Sequence, residues 1–202
     1  MTLFTTSRPA CVVGALLLSL PSLAAAQRRP QQPSGSAQQD SLRARYAAHE
    51  KEFDYLIGEW SFVQTRRATA TSPAATQRGT WRVTRSPDGA ILTDVFRIVD
   101  DSGRTRYVST TLRAYSAVED RWNLVGVEPG SGLHMGVAWK EGDDMRVDQE
   151  FGSGASTSKW RIRYHDIRPD AFSWRADVSR DGGKTWVEGY STIEAKRTTG
   201  KR

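Results

Sequence analysis

From Gly58 onward, apolar and polar residues alternate with a period of two, and this pattern limits the possible folds more than any other feature. Successive side chains of a strand point to opposite faces, so such alternation predicts strands with one buried face. Trp81 and Val83 alternate with Thr80 and Arg82, and Met145, Val147 and Gln149 with Arg146, Asp148 and Glu150. Trp160, Ile162 and Tyr164 alternate with Arg161, Arg163 and His165. Phe172, Trp174, Ala176 and Val178 alternate with Ser173, Arg175 and Asp177. Turn signals separate the runs: SPDG at 86–89, DDSG at 100–103, AVED at 117–120, EPGSG at 128–132, EGDD at 141–144, RPD at 168–170 and RDGGK at 180–184. Cutting there predicts ten strands, starting near residues 59, 79, 90, 104, 121, 133, 144, 158, 171 and 185. Short links make neighbours antiparallel. Ten short antiparallel strands dispose of their edges most simply by closing, so the expected fold is an all-β, up-and-down barrel, with a two-sheet sandwich as the alternative.

The sequence before the strands divides further. Residues 1–26 read as a signal peptide: Arg8 supplies positive charge, Cys11 to Leu20 form an apolar run, Pro21 breaks it, and Ala24-Ala25-Ala26 offers a small-residue cleavage site. The run is shorter than the ~20 residues that span a bilayer, so no transmembrane segment is expected and the localisation is secreted or periplasmic. Residues 27–39 (QRRPQQPSGSAQQ) read as a flexible linker. Leu42, Tyr46, His49 and Phe53 recur at helical spacing, which predicts one N-terminal helix over 40–52, capped by Asp40 or Ser41 and lying against the domain. The barrel domain then covers 53–197, and 198–202 form a disordered tail. The only cysteine, Cys11, falls in the leader, so a cleaved chain has no disulfide and no thiolate chemistry.

The formal charge of +6 belongs to the tails. Between Phe53 and Ala195 there are 19 basic and 20 acidic residues. Nucleic-acid binding needs positive charge clustered on the folded domain, so that partner class is excluded.

The first strand opens with Phe53-Asp54-Tyr55-Leu56-Ile57-Gly58-Glu59-Trp60. Its Gly-x-Trp resembles the signature of lipocalins and their calycin relatives, which makes the expected barrel calycin-like. The resemblance implies that Trp60 plugs one end of the barrel and that Arg197 or Lys196, from the last strand, lies across its ring. The whole opening is similar to that of an uncharacterised lipocalin-like family of secreted bacterial proteins of unknown function. Those chains also close with the hairpin seen here as Asp181-Gly182-Gly183-Lys184-Thr185-Trp186, and the likeness spans about residues 53–197. Ser179 to Trp186 also fits the Asp box of sialidase propellers, where it stabilises a hairpin. A propeller needs many such blades and this chain has one copy, so the motif carries no glycosidase chemistry.

Candidate chemistry is sparse. His49 and His165 read as solvent-side, whereas His134 follows the Gly130-Ser131-Gly132 turn and could face a cavity. A haem barrel related to nitrobindin would need an axial histidine, for which His134 is the best candidate. The glycine-rich opening associated with that group is missing, and no cofactor is expected. No metal-ligand spacing occurs, no Gly-x-Ser-x-Gly elbow is present, and Asp148 and Glu150 read as an exposed row beside Arg146. Seven tryptophans fall in seven different predicted strands. Trp122 and Trp139, which flank the glycine turn and His134, are the expected cavity residues. Arg97 and Arg113 interrupt apolar runs and are candidates for a carboxylate ligand.

Two functions follow. The first is a carrier, binding a small apolar or amphipathic ligand in the barrel, which a side-chain-filled interior would exclude. The second is a barrel-cavity enzyme, an isomerase or hydrolase with His134 as general acid or base, which requires His134 in a pocket beside a second polar group. An envelope module touching anionic surfaces through its basic tails ranks behind both. Oligomeric state is not legible.

Overall fold

The computed structural model describes residues 35–198 except 71 and 153. The leader at 1–26, the first part of the linker and residues 199–202 lie outside the described residues. The chain runs through helix α1 (Gly35–His49), a short 3-10 turn (Asp54–Leu56) and ten strands. These are β1 (Gly58–Arg66), β2 (Ala75–Arg85), β3 (Ile91–Val99), β4 (Thr105–Ser116), β5 (Arg121–Glu128), β6 (Gly132–Glu141), β7 (Asp144–Phe151), β8 (Ser158–His165), β9 (Ala171–Ser179) and β10 (Val187–Arg197).

Each strand pairs antiparallel with the next, and β10 returns to pair with β1, matching Trp60 with Arg197 and Phe62 with Ala195. The result is a closed, ten-stranded, up-and-down barrel with no free sheet edge. Alternation along each strand sends one row of side chains inside, such as Leu92, Asp94, Phe96 and Ile98 on β3. Trp186 precedes β10 in the hairpin loop, so six rather than seven tryptophans lie in strands.

One end of the barrel is sealed by the segment that enters it. Phe53 and Leu56 are fully buried, and Phe53 meets Trp122 edge-on at 5.1 Å. The Trp60 indole N–H donates to the Leu56 carbonyl at 2.7 Å. Of the two basic candidates, Arg197 covers the Trp60 ring at 4.1 Å. Its guanidinium also donates to the carbonyls of Pro169, Ile57 and Tyr55 at 2.7, 2.6 and 3.0 Å, so one side chain ties three chain segments at this rim. Gly58 stands beneath it at φ +129°, where a β-carbon would both strain the backbone and collide with the guanidinium.

Helix α1 begins at Gly35, five residues earlier than the spacing suggests. Ala37, Gln38 and Gln39 are good helix formers, and Asp40 lies inside the helix, 4.0 Å from Arg43, instead of capping it. Tyr46 and His49 pack on Tyr115 of β4, and Arg45 donates to the Ala117 carbonyl. No helix residue is fully buried.

Candidate functional site

The opposite end of the barrel is open, and a cavity of about 440 Å³ runs inward from it. Small residues occupy inward positions on β5 and β6, and Gly126 lines the cavity itself. Gly126 and Gly136 face inward; a β-carbon on Gly136 would press on Gln149 and the Asp148 carbonyl at 3.0 Å, whereas one on Gly126 would make ordinary contact with Gln149 and His134. Ala138, inward on the same strand as Gly136, adds only a methyl group. Aromatic side chains form much of the wall: Trp81, Phe96, Phe151, Trp160, Trp174 and Tyr190.

The deepest polar group is an ion pair. Asp94 and Arg113 are 1% and 3% exposed and in direct contact. Asp94 also accepts the Thr111 backbone N–H at 3.2 Å, and an Arg113 terminal nitrogen lies 3.5 Å from the Tyr164 hydroxyl. Burial by itself would lower the Arg113 pKa, but the Asp94 charge and the Tyr164 hydroxyl raise it above the ordinary guanidinium range, so the ion pair persists. Burial pushes the Tyr164 hydroxyl up, so it stays a neutral donor.

Nearer the mouth, β4, β5 and β6 converge on Glu128. Its carboxylate accepts from the Tyr107 hydroxyl and, at 2.5 Å, from Ser131 in the β5–β6 turn. His134, 2% exposed, places Nε2 3.3 Å from the same carboxylate, although neither ring nitrogen has an aligned hydrogen-bond partner. Burial works to raise the Glu128 pKa, but the Ser131 and Tyr107 hydrogen bonds and the adjacent His134 hold it below the usual carboxylate range. Burial, reinforced by Glu128, drives the Tyr107 hydroxyl well above its ordinary pKa. The imidazole also lies against the Phe151 ring at 4.6 Å. The arrangement can grip a small molecule by apolar contact and hydrogen bonds, and it holds one imidazole beside one ionised carboxylate.

The sequence candidates separate cleanly. His134 and Arg113 line the cavity. Trp122 is buried, but in the sealed end, where its N–H donates to Glu52 at 2.9 Å. Trp139 is 38% exposed and lies in an outer groove with Arg146, Arg161 and Arg175. Arg97 is exposed on the outer face of β3. Arg97 and Trp139 are displaced for one reason: the inner rows of β3 and β6 carry no more large apolar residues than the outer rows, so alternation fixes the period without the phase. Trp122 does face inward, on β5, and is displaced along the barrel to its sealed end. Asp148 and Glu150 are exposed, with Glu150 paired to Lys159 at 3.4 Å. His165 pairs with Asp166, whereas His49 is half-buried on Tyr115. Asp94, Tyr107, Glu128, Trp81 and Arg66 line the cavity without having been expected there. Asp94 carried a signal, an acid within the apolar row Leu92, Phe96 and Ile98.

Among the described residues no helix is long and apolar enough to cross a membrane, and no cluster of metal-ligating side chains occurs. No protein-family model and no curated protein matches the sequence. Among solved structures, the S-type phycobiliprotein lyase of Guillardia theta superposes with a TM-score of 0.51, covering 75% of this chain and 93% of its own, at 11% identity. The likeness is therefore one of architecture: this chain has the calycin-like barrel fold.

Proposed function

We propose that the protein is a secreted or periplasmic binding protein that holds a small amphipathic ligand inside its barrel, as a lipocalin-like member of the uncharacterised family its opening resembles. The observation that carries this reading is the open cavity of about 440 Å³, with aromatic walls and a few converging polar groups, in place of a filled core. The leader-like residues 1–26 support export. The full chain, expressed with its leader in a bacterial host and purified without denaturant, is examined by native mass spectrometry and an absorbance scan. A retained small molecule of defined mass is the expected result. A bare chain that also fails to take up any apolar probe would overturn the reading.

A second reading rests on His134, which sits in the cavity beside the ionised Glu128. That pair suits a general acid or base whose ring is oriented by a carboxylate, and the solved neighbour is named as a lyase. On this reading His134→Asn and Glu128→Gln abolish turnover of a bound molecule while leaving its affinity nearly unchanged.

A further inference from the structure

Resting on the ligand-binding reading above, we infer that the molecule held in the barrel is a small organic acid with an apolar body, its carboxylate meeting Arg66 and a second oxygen acceptor meeting the deeper N–H groups of Trp81 and Arg113. The inference comes from a count of donors. Among the described residues, the cavity-lining side-chain atoms that are buried without a hydrogen-bond partner are all nitrogens. They are Nε1 of Trp81, Nε of Arg113, Nε of Arg66 and the ring nitrogens of His134. Indole and guanidinium N–H groups only donate, and an imidazole always presents at least one N–H. Leaving a buried donor unpaired is costly, so a cavity built this way selects an occupant rich in acceptors.

Charge sharpens the choice. Two arginines and two carboxylic side chains line the cavity. Asp94 neutralises Arg113, and Glu128 is held by Tyr107, Ser131 and the neighbouring His134. Arg66, the inward residue at the open end of β1, has no carboxylate partner among the described residues. An anionic group in the mouth completes it, and a planar carboxylate meets a guanidinium through two parallel hydrogen bonds. Farther in, Trp81 and Arg113 flank one tyrosine: the indole lies 6.0 Å from the Tyr164 ring, and Arg113 reaches the Tyr164 hydroxyl. Both spare N–H groups therefore belong to the same part of the cavity, where a carbonyl oxygen fits and an ammonium does not.

The test uses competitive displacement of the fluorescent probe N-phenyl-1-naphthylamine from the full chain by three matched compounds. These are 4-benzoylbenzoate, its cationic counterpart 4-benzoylbenzylamine, and 4-benzylbenzoate, in which the ketone is a methylene group. The keto acid is expected to bind at least about tenfold more tightly than the amine, as a charge-assisted hydrogen bond implies. Arg66→Gln should erase most of that difference. Trp81→Phe should weaken the keto acid several-fold and leave 4-benzylbenzoate unchanged. Both variants keep the bulk of the side chain, and uptake of the neutral probe reports that each is folded. If the probe binds but all three compounds displace it equally, or the amine wins, the inference falls while the binding reading stands, with solvent satisfying the donors. If neither the probe nor any compound binds, the binding reading falls with it.

Discussion

Asp94 and Arg113 show how much depends on single side chains in this barrel. Buried ions are tolerated because each neutralises the other, so removing one leaves an uncompensated charge in an apolar surround. Arg113→Met and Asp94→Leu are each expected to lower stability by about 3–5 kcal/mol, whereas the double variant costs clearly less than the sum. Urea unfolding of the four proteins in the cycle checks this, and strict additivity would refute the coupling. Arg197 is the other exacting residue, since its flat guanidinium serves three carbonyls and one indole face at once. Lysine offers a point charge and cannot span them, so Arg197→Lys should lower stability by about 1–3 kcal/mol, read from the urea midpoint at unchanged slope. The resemblance left Arg197 and Lys196 as alternatives over Trp60, and the structure places Arg197 there. The distinction between Arg97 and Arg113 was not legible in the sequence. On β3 the outward row carries three apolar residues, Ile91, Val95 and Val99, as many as Leu92, Phe96 and Ile98 inside, and on β6 Leu133, Met135 and Trp139 outside exceed His134, Gly136 and Ala138 inside. A strand that lines a cavity keeps polar and small residues inward, which inverts the usual cue for the buried face.

At the scale of elements, the hairpin between β9 and β10 is organised by one carboxylate. Asp181 accepts from the amides of Lys184 and Thr185 and the hydroxyls of Ser179 and Thr185, and Ser179 in turn accepts the Gly183 amide. Those bonds, led by the Thr185 hydroxyl and amide, hold the Asp181 pKa far below the ordinary aspartate value. A lowered folded pKa means the hairpin's stabilisation is complete above the unfolded value near pH 4 and fades as pH falls toward the folded one. The Lys184 and Thr185 amide resonances should therefore keep their native shifts down through pH 4 and move only in stronger acid. Titration of these amides at an ordinary aspartate pH would contradict the geometry, and Asp181→Asn should remove the transition altogether. The motif was plain in the sequence because every group that binds Asp181 lies within four residues of it. The start of α1 was less plain: the pull of Asp40 as a cap was local, but helix-favouring residues upstream of it carry the helix on to Gly35.

For the whole molecule, the decisive contact joins chain positions far apart, Trp60 with Arg197 and Gln64 with Ile193. Until β10 arrives, β1 and β9 each present an unpaired edge. A chain ending at Gly182 lacks β10 and is expected to aggregate and to lose uptake of an apolar probe, as judged by size-exclusion chromatography and fluorescence. A soluble, probe-binding truncation would mean that the nine remaining strands close without it. The global shape was the most legible level of all, since turn residues place all ten strand starts within four residues of those observed. What the alternation lacked was volume: a filled barrel and a hollow one share the same period and differ only in the size of their inward residues.

The strands that close the ring, β1 and β10, enter and leave the barrel at the same sealed rim, where Gly58 and Arg197 meet. A molecule anchored through the segment before Gly58 or the segment after Arg197 is thus held by its floor. Its opening is left facing away from the anchoring surface, and an affinity handle or a fused domain at either attachment leaves the mouth of the cavity unobstructed.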